Sequence, residues 1–439
     1  MSPLVPPRPD LSLIAIVGYS FLAFVIGVVL TPLFVKALKH FKLGKQLRAE
    51  AVDGGDVSVF LSLHKSKAGT PTMGGLLIWG SILLTVLISR ALSLFGTVDH
   101  SLLQRGQVYI PLAILVMLGV LGALDDYLNI LSTDSVKLSE SIKPIKRILM
   151  AGILFVAVGA YYFSYGFSDP SIGSTLQKSL LVMTCVVLLL FLGTLFDLGG
   201  KKLNATLSRL LIGTGKKAGL NAIPKLLFLI SIGLFAALWF YFRLDYQTIN
   251  VPFGPLIGLP ETLTLGWLYI PFFIFVLIAT ANAVNVTDGL DGLAGGLLIL
   301  AFSAFGVLAF MQGLFVLAGF CGVIIGSIAA FLWYNVPPAL FFMGDTGSLA
   351  LGGTLAVISF MIDQVLLLPI IGFIFVMETC SVLLQLASKR LRNGKKIFRS
   401  APIHHHFEAL GWGESKVTMR FWIIGMFMAL MGVIVGLNG

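Results

Sequence analysis

The chain is poor in charge: only 11% of its 439 residues are Asp, Glu, Lys or Arg, where a soluble globular protein carries about 25%. That shortage excludes a water-soluble enzyme. Cysteine is scarcer still, with Cys185, Cys321 and Cys380 each inside an apolar stretch. They are odd in number and have no metal-ligand spacing, so they read as small core residues. Acids are short relative to bases, 20 against 30, which leaves a net charge of +10. In an apolar chain that excess is first a topology signal, because cytoplasmic loops collect Lys and Arg, and no nucleic-acid partner is expected.

What the chain has in abundance is apolar surface, with 57% hydrophobic residues and a mean hydropathy of +0.97. A bilayer-spanning helix needs about 20 such residues. Roughly twelve segments qualify, near 11–36, 74–96, 107–130, 148–167, 178–198, 224–243, 267–286, 291–311, 314–334, 348–362, 364–387 and 417–437. The expected fold class is therefore all-α, a polytopic membrane protein with its N-terminus outside. The first stretch is too long for a signal-peptide core and runs into a Lys cluster, so it reads as a retained helix. With that orientation 25 of the 30 Lys and Arg residues face the cytoplasm, and only Arg8, Arg90, Arg105, Lys178 and Arg243 face the other side.

The same orientation sends nearly every unusual polar cluster to the cytoplasmic end. A transporter is expected to hold ionisable groups near the midplane; an enzyme with a cytoplasmic substrate holds them at one face. Asp125 and Asp126 end the third span, either as interfacial acids or as functional carboxylates. Adjacent helical residues point about 100° apart, which suggests separate tasks. The run Asn282, Asn285, Asp288, Asp291 is spaced by three, and with Gly289 and Gly292 it reads as the end of one span and the start of the next. Its turn would present amides and carboxylates together.

Lys65, Lys67 and Gly69-Thr70-Pro71-Thr72 precede the second span. Thr70 reads as an N-cap with Pro71 at the first helical position, or the helix start and its lysines form an anion site. Asp345 either caps the following helix or is a hard oxygen ligand for Mg²⁺. His404-His405-His406 lies within the chain; without matching Cys/His pairs a zinc site is disfavoured, and Mg²⁺ with phosphate fits the donors better. Lys216-Lys217 lacks the Ser or Thr of a P-loop.

Together, Gly69 to Gly75, Asp125-Asp126-Tyr127, Asn282 to Gly292, Phe342 to Ser348 and Pro402 to Glu408 resemble the polyprenyl-phosphate N-acetylhexosamine-1-phosphate transferase superfamily. Within it they are most similar to the phospho-N-acetylmuramoyl-pentapeptide transferase (translocase I) family, and the His-His-His-Phe-Glu form discriminates it from relatives using UDP-N-acetylglucosamine. The resemblance implies transfer of phospho-MurNAc-pentapeptide from its UDP carrier to undecaprenyl phosphate, giving lipid I and UMP with Mg²⁺. The setting would be the bacterial inner membrane, during peptidoglycan synthesis, with the site on the cytoplasmic face and a homodimer left open. It implies catalytic roles for Asp125, Asp126, Asp345 and His404, with Asp345 on the metal. Lys67, Thr72, Asn282, Asn285, Asp288, Asp291, Asn335, Phe342, His405 and His406 would bind substrate, Asn335 and Phe342 at uracil. A UDP-N-acetylglucosamine transferase is the alternative within the class, and a polytopic transporter the alternative outside it.

Two departures stand out. Asn129 occupies the position where the family often has Lys, so the phosphate cation must come from elsewhere, Lys143 or Lys225. The segment 132–215 resembles an insertion with two extra spans inside a ten-helix core, and an even number leaves every later loop on its original side.

Overall fold

The computed structural model describes residues 11–41, 44, 67, 69–98, 101–103, 106–131, 222–252, 254, 258 and 260–438. The expected insertion and its spans near 148–167 and 178–198 lie outside these, as does Cys185. The described residues are overwhelmingly helical: α1 (Leu13–His40), α2 (Gly75–Leu94), α3 (Tyr109–Leu131), α4 (Ala222–Leu238), α5 (Tyr269–Thr287), α6 (Leu293–Met311), α7 (Phe315–Asn335), α8 (Asp345–Met361), α9 (Leu368–Ile371), α10 (Phe373–Leu391), α11 (Ile403–Ala409) and α12 (Glu414–Asn438). Eight helices are long and apolar enough to cross a membrane, or nine if the bent α9–α10 pair is one span, against ten expected on the described residues; α8, at 17 residues, is a shorter apolar helix.

Three details differ from the sequence expectation. The span near 364–387 is not one rod: α9 and α10 meet at Gly372 with a bend of 80°, and the backbone there leaves the helical region. Residues 248–250 and 262–264 pair as a two-stranded antiparallel hairpin, β1 and β2, whose short strands carry no period long enough to read. Cys321 is buried as expected, but Cys380 is exposed.

The organising element is α8. Every residue from Thr346 to Phe360 is buried, packed among α2, α3, α5 and α6. Around it α1 lies along α7, and α12 along α6. Apolar residues such as Phe21, Trp267, Phe275, Trp333 and Phe427 face outward, the inverse of a soluble protein and the pattern a lipid environment requires.

The backbones at the N-terminus of α8 approach unusually closely, and glycine permits it. A Cβ on Gly122 would lie 2.1 Å from the Asp345 carbonyl oxygen, and one on Gly75 would lie 2.1 Å from the Gly347 nitrogen. Gly122→Ala must therefore push α3 off α8. Overpacking costs about 1–3 kcal/mol, so a lowered melting temperature is expected, whereas Gly80→Ala on α2, with nothing within 4 Å, should leave it unchanged.

At the opposite end Asp363 accepts the Asn250 N–H at 3.2 Å, and burial pushes its carboxyl above the ordinary carboxylate range despite that bond. A raised folded-state value favours the folded protein at low pH and loses that contribution as pH rises through the window above the ordinary value. Asp363→Asn keeps an acceptor and tolerates the positive φ of 53°, so it should melt higher than the wild type at pH 7, with the gap closing toward pH 4 in thermal scans.

Candidate active site

The N-terminus of α8 has N–H groups with no partner inside the helix, and α3 supplies one. Asp126, 7% exposed, accepts from the Asp345 N–H at 3.2 Å through Oδ1. Its Oδ2 accepts from the Thr346 N–H at 3.0 Å and the Thr346 hydroxyl at 2.6 Å. A carboxylate also complements the positive end of the helix dipole. Gly344, at φ 73°, leaves room for it: a Cβ there would sit 2.4 Å from Asp126 Oδ2 and 2.9 Å from Thr72 Oγ1. Asp345 is therefore not the cap. It is the first residue of α8, preceded by Gly344, and its own carboxylate is turned elsewhere.

That carboxylate shares a cation with Asp125. Lys225 Nζ lies 2.8 Å from Asp125 Oδ2 and 2.5 Å from Asp345 Oδ2. A lysine in the first turn of a helix opposes the dipole, so its position near the start of α4 depends on the two acids. Asn285, on the last turn of α5, donates from Nδ2 to Asp345 Oδ1 at 2.7 Å and to the Ser348 hydroxyl at 2.9 Å. Of the two lysines offered for the phosphate cation, Lys225 reaches the acids; Lys143 lies outside the described residues.

A second charge knot ties the segment before α2 to the rest. Lys67 Nζ donates to Asp291 Oδ1 at 2.6 Å and to Glu414 Oε1 at 2.5 Å, with the Phe342 ring centroid 5.8 Å away. Asp291 Oδ2 accepts the Ala339 N–H at 3.0 Å, and Glu414 Oε1 accepts the Asp291 N–H at 2.6 Å. Asn335 uses both ends of its amide, accepting from Gly292 N–H and donating to the Phe341 carbonyl, each at 2.9 Å. Phe342 keeps a partly exposed ring.

The expected helix start at Thr70-Pro71 is displaced, since α2 begins only at Gly75. Residues 71–75 instead form a strap on the loop before α8. Phe342 N–H donates to the Pro71 carbonyl at 2.8 Å, while Gly74 and Gly75 N–H donate to the carbonyls of Phe342 and Met343 at 2.8 and 2.9 Å. Met73, at φ 71°, turns the chain to allow it. Helix hydrogen bonds lose here to pairing with a neighbouring segment.

The Asn282 to Gly292 run behaves as read: α5 ends at Thr287, Asp288 follows it, and α6 starts at Leu293. Asn285, Asp288 and Asp291 thus sit at one turn, but Asn282 donates back to the Ile278 carbonyl of its own helix at 2.8 Å. The three histidines diverge. His404 is wholly buried, with Nδ1 2.9 Å from Glu378 Oε2. His405 Nδ1 is 2.6 Å from Glu408 Oε2, and His406 Nδ1 accepts the Arg399 N–H at 3.1 Å.

Two participants were absent from the sequence expectation. Glu414 carried no motif, and its only signal is an acid opening a helix in a basic segment. Glu378 is a lone acid in an apolar helix, wholly buried, and carboxylates at membrane depth are usually functional; that signal was present at position 378 but lay outside the five motifs.

Residues 67–78 match the Phospho-N-acetylmuramoyl-pentapeptide-transferase signature 1, and residues 179–363 match Glycosyl transferase family 4. The chain is 33% identical over 425 residues to the phospho-N-acetylmuramoyl-pentapeptide-transferase of Listeria monocytogenes serovar 1/2a, covering 97% of this chain and 99% of that one. It is 31% identical over 411 residues to that of Geobacillus thermodenitrificans, with 94% of each chain covered. The Bacillus thuringiensis (strain Al Hakam) protein of the same name is 32% identical over 414 residues, covering 94% of this chain and 95% of its own.

Removing the shared cation tests the geometry directly. Breaking a buried ion pair costs about 3–5 kcal/mol, and less here because the Lys225 side chain is 19% exposed. Lys225→Met is expected to lower the melting temperature clearly while Lys225→Arg preserves most of it; equal melting of all three proteins would mean that the bridge between Asp125 and Asp345 contributes nothing to stability.

Proposed function

The chain belongs to the phospho-N-acetylmuramoyl-pentapeptide-transferase family, and from that premise we propose that it transfers phospho-MurNAc-pentapeptide from UDP-MurNAc-pentapeptide to undecaprenyl phosphate, releasing UMP and forming lipid I. The observation that carries the mechanism is the convergence of Asp125 and Asp345, from two different helices, on the single ammonium of Lys225. Phosphoryl transfer asks a protein mainly to position the reactants and to neutralise charge. This end of the bundle supplies both, with carboxylates and a lysine fixed on helix ends.

In the proposed reaction an oxygen of the lipid phosphate attacks the sugar-bearing phosphorus of the donor. The new P–O bond forms as the bond to UMP breaks, and UMP leaves with the electron pair. Asp125 orients or deprotonates the attacking phosphate. Asp126 is engaged as the cap of α8, so its contribution is to hold Asp345 in place. Phe342, with Lys67 beside its ring, is the stacking surface for uracil. Asn335, committed at both ends, shapes that pocket through the Phe341 carbonyl.

Among the described residues no three His, Cys, Asp or Glu side chains form a closed metal cage. Mg²⁺ takes few protein carboxylates and shares substrate phosphate oxygens. Asp345 and Asp125 are the hard donors that would hold it, and when bound it would supply neutralisation of charge on the transferring phosphate. The orientation that puts 25 of 30 basic residues inside assigns this end to the cytoplasmic face of the inner membrane, where the soluble nucleotide donor is available. An insertion at 132–215 with an even number of spans leaves that assignment unchanged.

The test is UMP release by purified protein given undecaprenyl phosphate, Mg²⁺ and either UDP-MurNAc-pentapeptide or UDP-N-acetylglucosamine. UMP from the first donor is expected. Release from the second alone would move the chain to the sister activity, and none from either would overturn the enzymatic reading. Asp125→Asn and Asp345→Asn should each reduce the rate by at least about 10²-fold, the scale of lost charge stabilisation at a transfer site.

A further inference from the structure

We infer that Glu414, the first residue of α12, is a positioning residue for the nucleotide end of the donor: through Lys67 it holds the wall on which the base is stacked. This rests on the reading of Phe342 as the surface for uracil. One atom makes two of the contacts, since Glu414 Oε1 accepts from Lys67 Nζ at 2.5 Å and from the Asp291 N–H at 2.6 Å. Asp291 Oδ1 holds the same ammonium at 2.6 Å. That ammonium lies 5.8 Å from the centroid of the Phe342 ring, within the range of a cation–π contact. The backbone completes the wall. The Lys67 carbonyl accepts the Thr70 N–H at 3.2 Å, the Pro71 carbonyl accepts the Phe342 N–H at 2.8 Å, and the Phe342 carbonyl accepts the Gly74 N–H at 2.8 Å. Glu414 thus anchors the start of the segment that fixes Phe342.

The charge count shows what Lys67 is for. An ammonium has three protons to donate, and here it donates to the carboxylates of both Asp291 and Glu414. One positive and two negative charges leave the knot negative, so a phosphate approaching Lys67 meets repulsion. The lysine therefore acts as a brace and not as an anion ligand. Asp291 is the fixed member of the knot. Its Oδ2 accepts the Ala339 N–H at 3.0 Å and its carbonyl accepts the Thr418 hydroxyl at 3.3 Å, which builds it into the turn before α6. Glu414 is the member whose charge can be removed without undoing that turn, because a glutamine oxygen still accepts the Asp291 N–H. The two roles open to Lys67 then give opposite signs. A brace that loses one partner leaves Phe342 less fixed and the donor more weakly bound, whereas an anion ligand released from a carboxylate would bind the donor more tightly.

Two measurements on full-length protein in lipid nanodiscs decide it. In steady-state assays Glu414→Gln is expected to raise the KM for UDP-MurNAc-pentapeptide about tenfold, the equivalent of one hydrogen bond between charged groups. The kcat and the KM for undecaprenyl phosphate should stay close to wild type. In calorimetry with UMP, which needs no turnover, the Kd is expected to rise by the same factor. A lower KM or a tighter Kd overturns the inference, because Lys67 would then be an anion ligand set free. In a Lys67→Met background Glu414→Gln should add less than about twofold, because residues that act through one another are not additive; full multiplicative loss overturns the link. If Glu414→Gln does not fold, Lys67→Met decides by itself. Equal losses of affinity for uridine and for UMP are expected, and a loss confined to UMP, or none, overturns the brace. Wild-type UMP binding that Glu414→Gln leaves unchanged sinks this inference alone; wild-type protein that binds neither ligand sinks the transferase reading with it.

Discussion

The N-terminus of α8 is the constraint to which the rest of the site answers. At 17 residues and about 1.5 Å per residue, α8 is some 25 Å long, short of the roughly 30 Å hydrocarbon core. It is also enclosed on all sides by other helices, so its first N–H groups have little access to water. Asp126 satisfies them from α3 with both carboxylate oxygens. Because that cap is supplied from a neighbouring helix, it fixes more than one helix end. It sets the depth of α3 against α8, and with it the separation of Asp125 from Asp345.

Around that cap, charge is distributed in two knots of the same design, each a lysine between two acids from distant parts of the chain. Lys225 joins Asp125 to Asp345, and Lys67 joins Asp291 to Glu414. Each knot carries one net negative charge, and each is only partly closed to solvent. Isolated charges near hydrocarbon are expensive, whereas paired ones mark substrate paths. The Lys225 knot lies where phosphoryl chemistry is proposed. The Lys67 knot does a different job, holding the strap before α2, the turn after α5 and the start of α12 as one wall beside Phe342.

Legibility followed a physical rule. Against 57% apolar residues, a polar residue at a helix end stands out, so Asp125, Asp126, Asn285, Asp288, Asp291 and Asp345 could be found without coordinates. The strap at 71–75 could not be, because its bonds are between backbone groups and every sequence has those. The bend at Gly372 is hidden for a related reason: hydropathy is continuous through it, and only the backbone geometry shows the 80° break. Cys380 was misread because an apolar run in a membrane protein does not distinguish lipid-facing from core-facing positions. Glu378 shows in the sequence only as a single acid without a motif.

The sequence by itself determined the solvent, the helical class, eight of the spans on the described residues and the identities of the acids that gather at one end. These depend on transfer free energies and charge bias, which are sums over local residues. Tertiary structure alone decided how those acids are used. It gave Asp126 to a helix cap, Asp125 and Asp345 to a common lysine, both ends of the Asn335 amide to backbone and His404 to Glu378. Such assignments depend on contacts of 2.5 to 3.2 Å between segments separated by up to hundreds of residues, and each carboxylate or amide can be spent only where the fold brings a partner within reach.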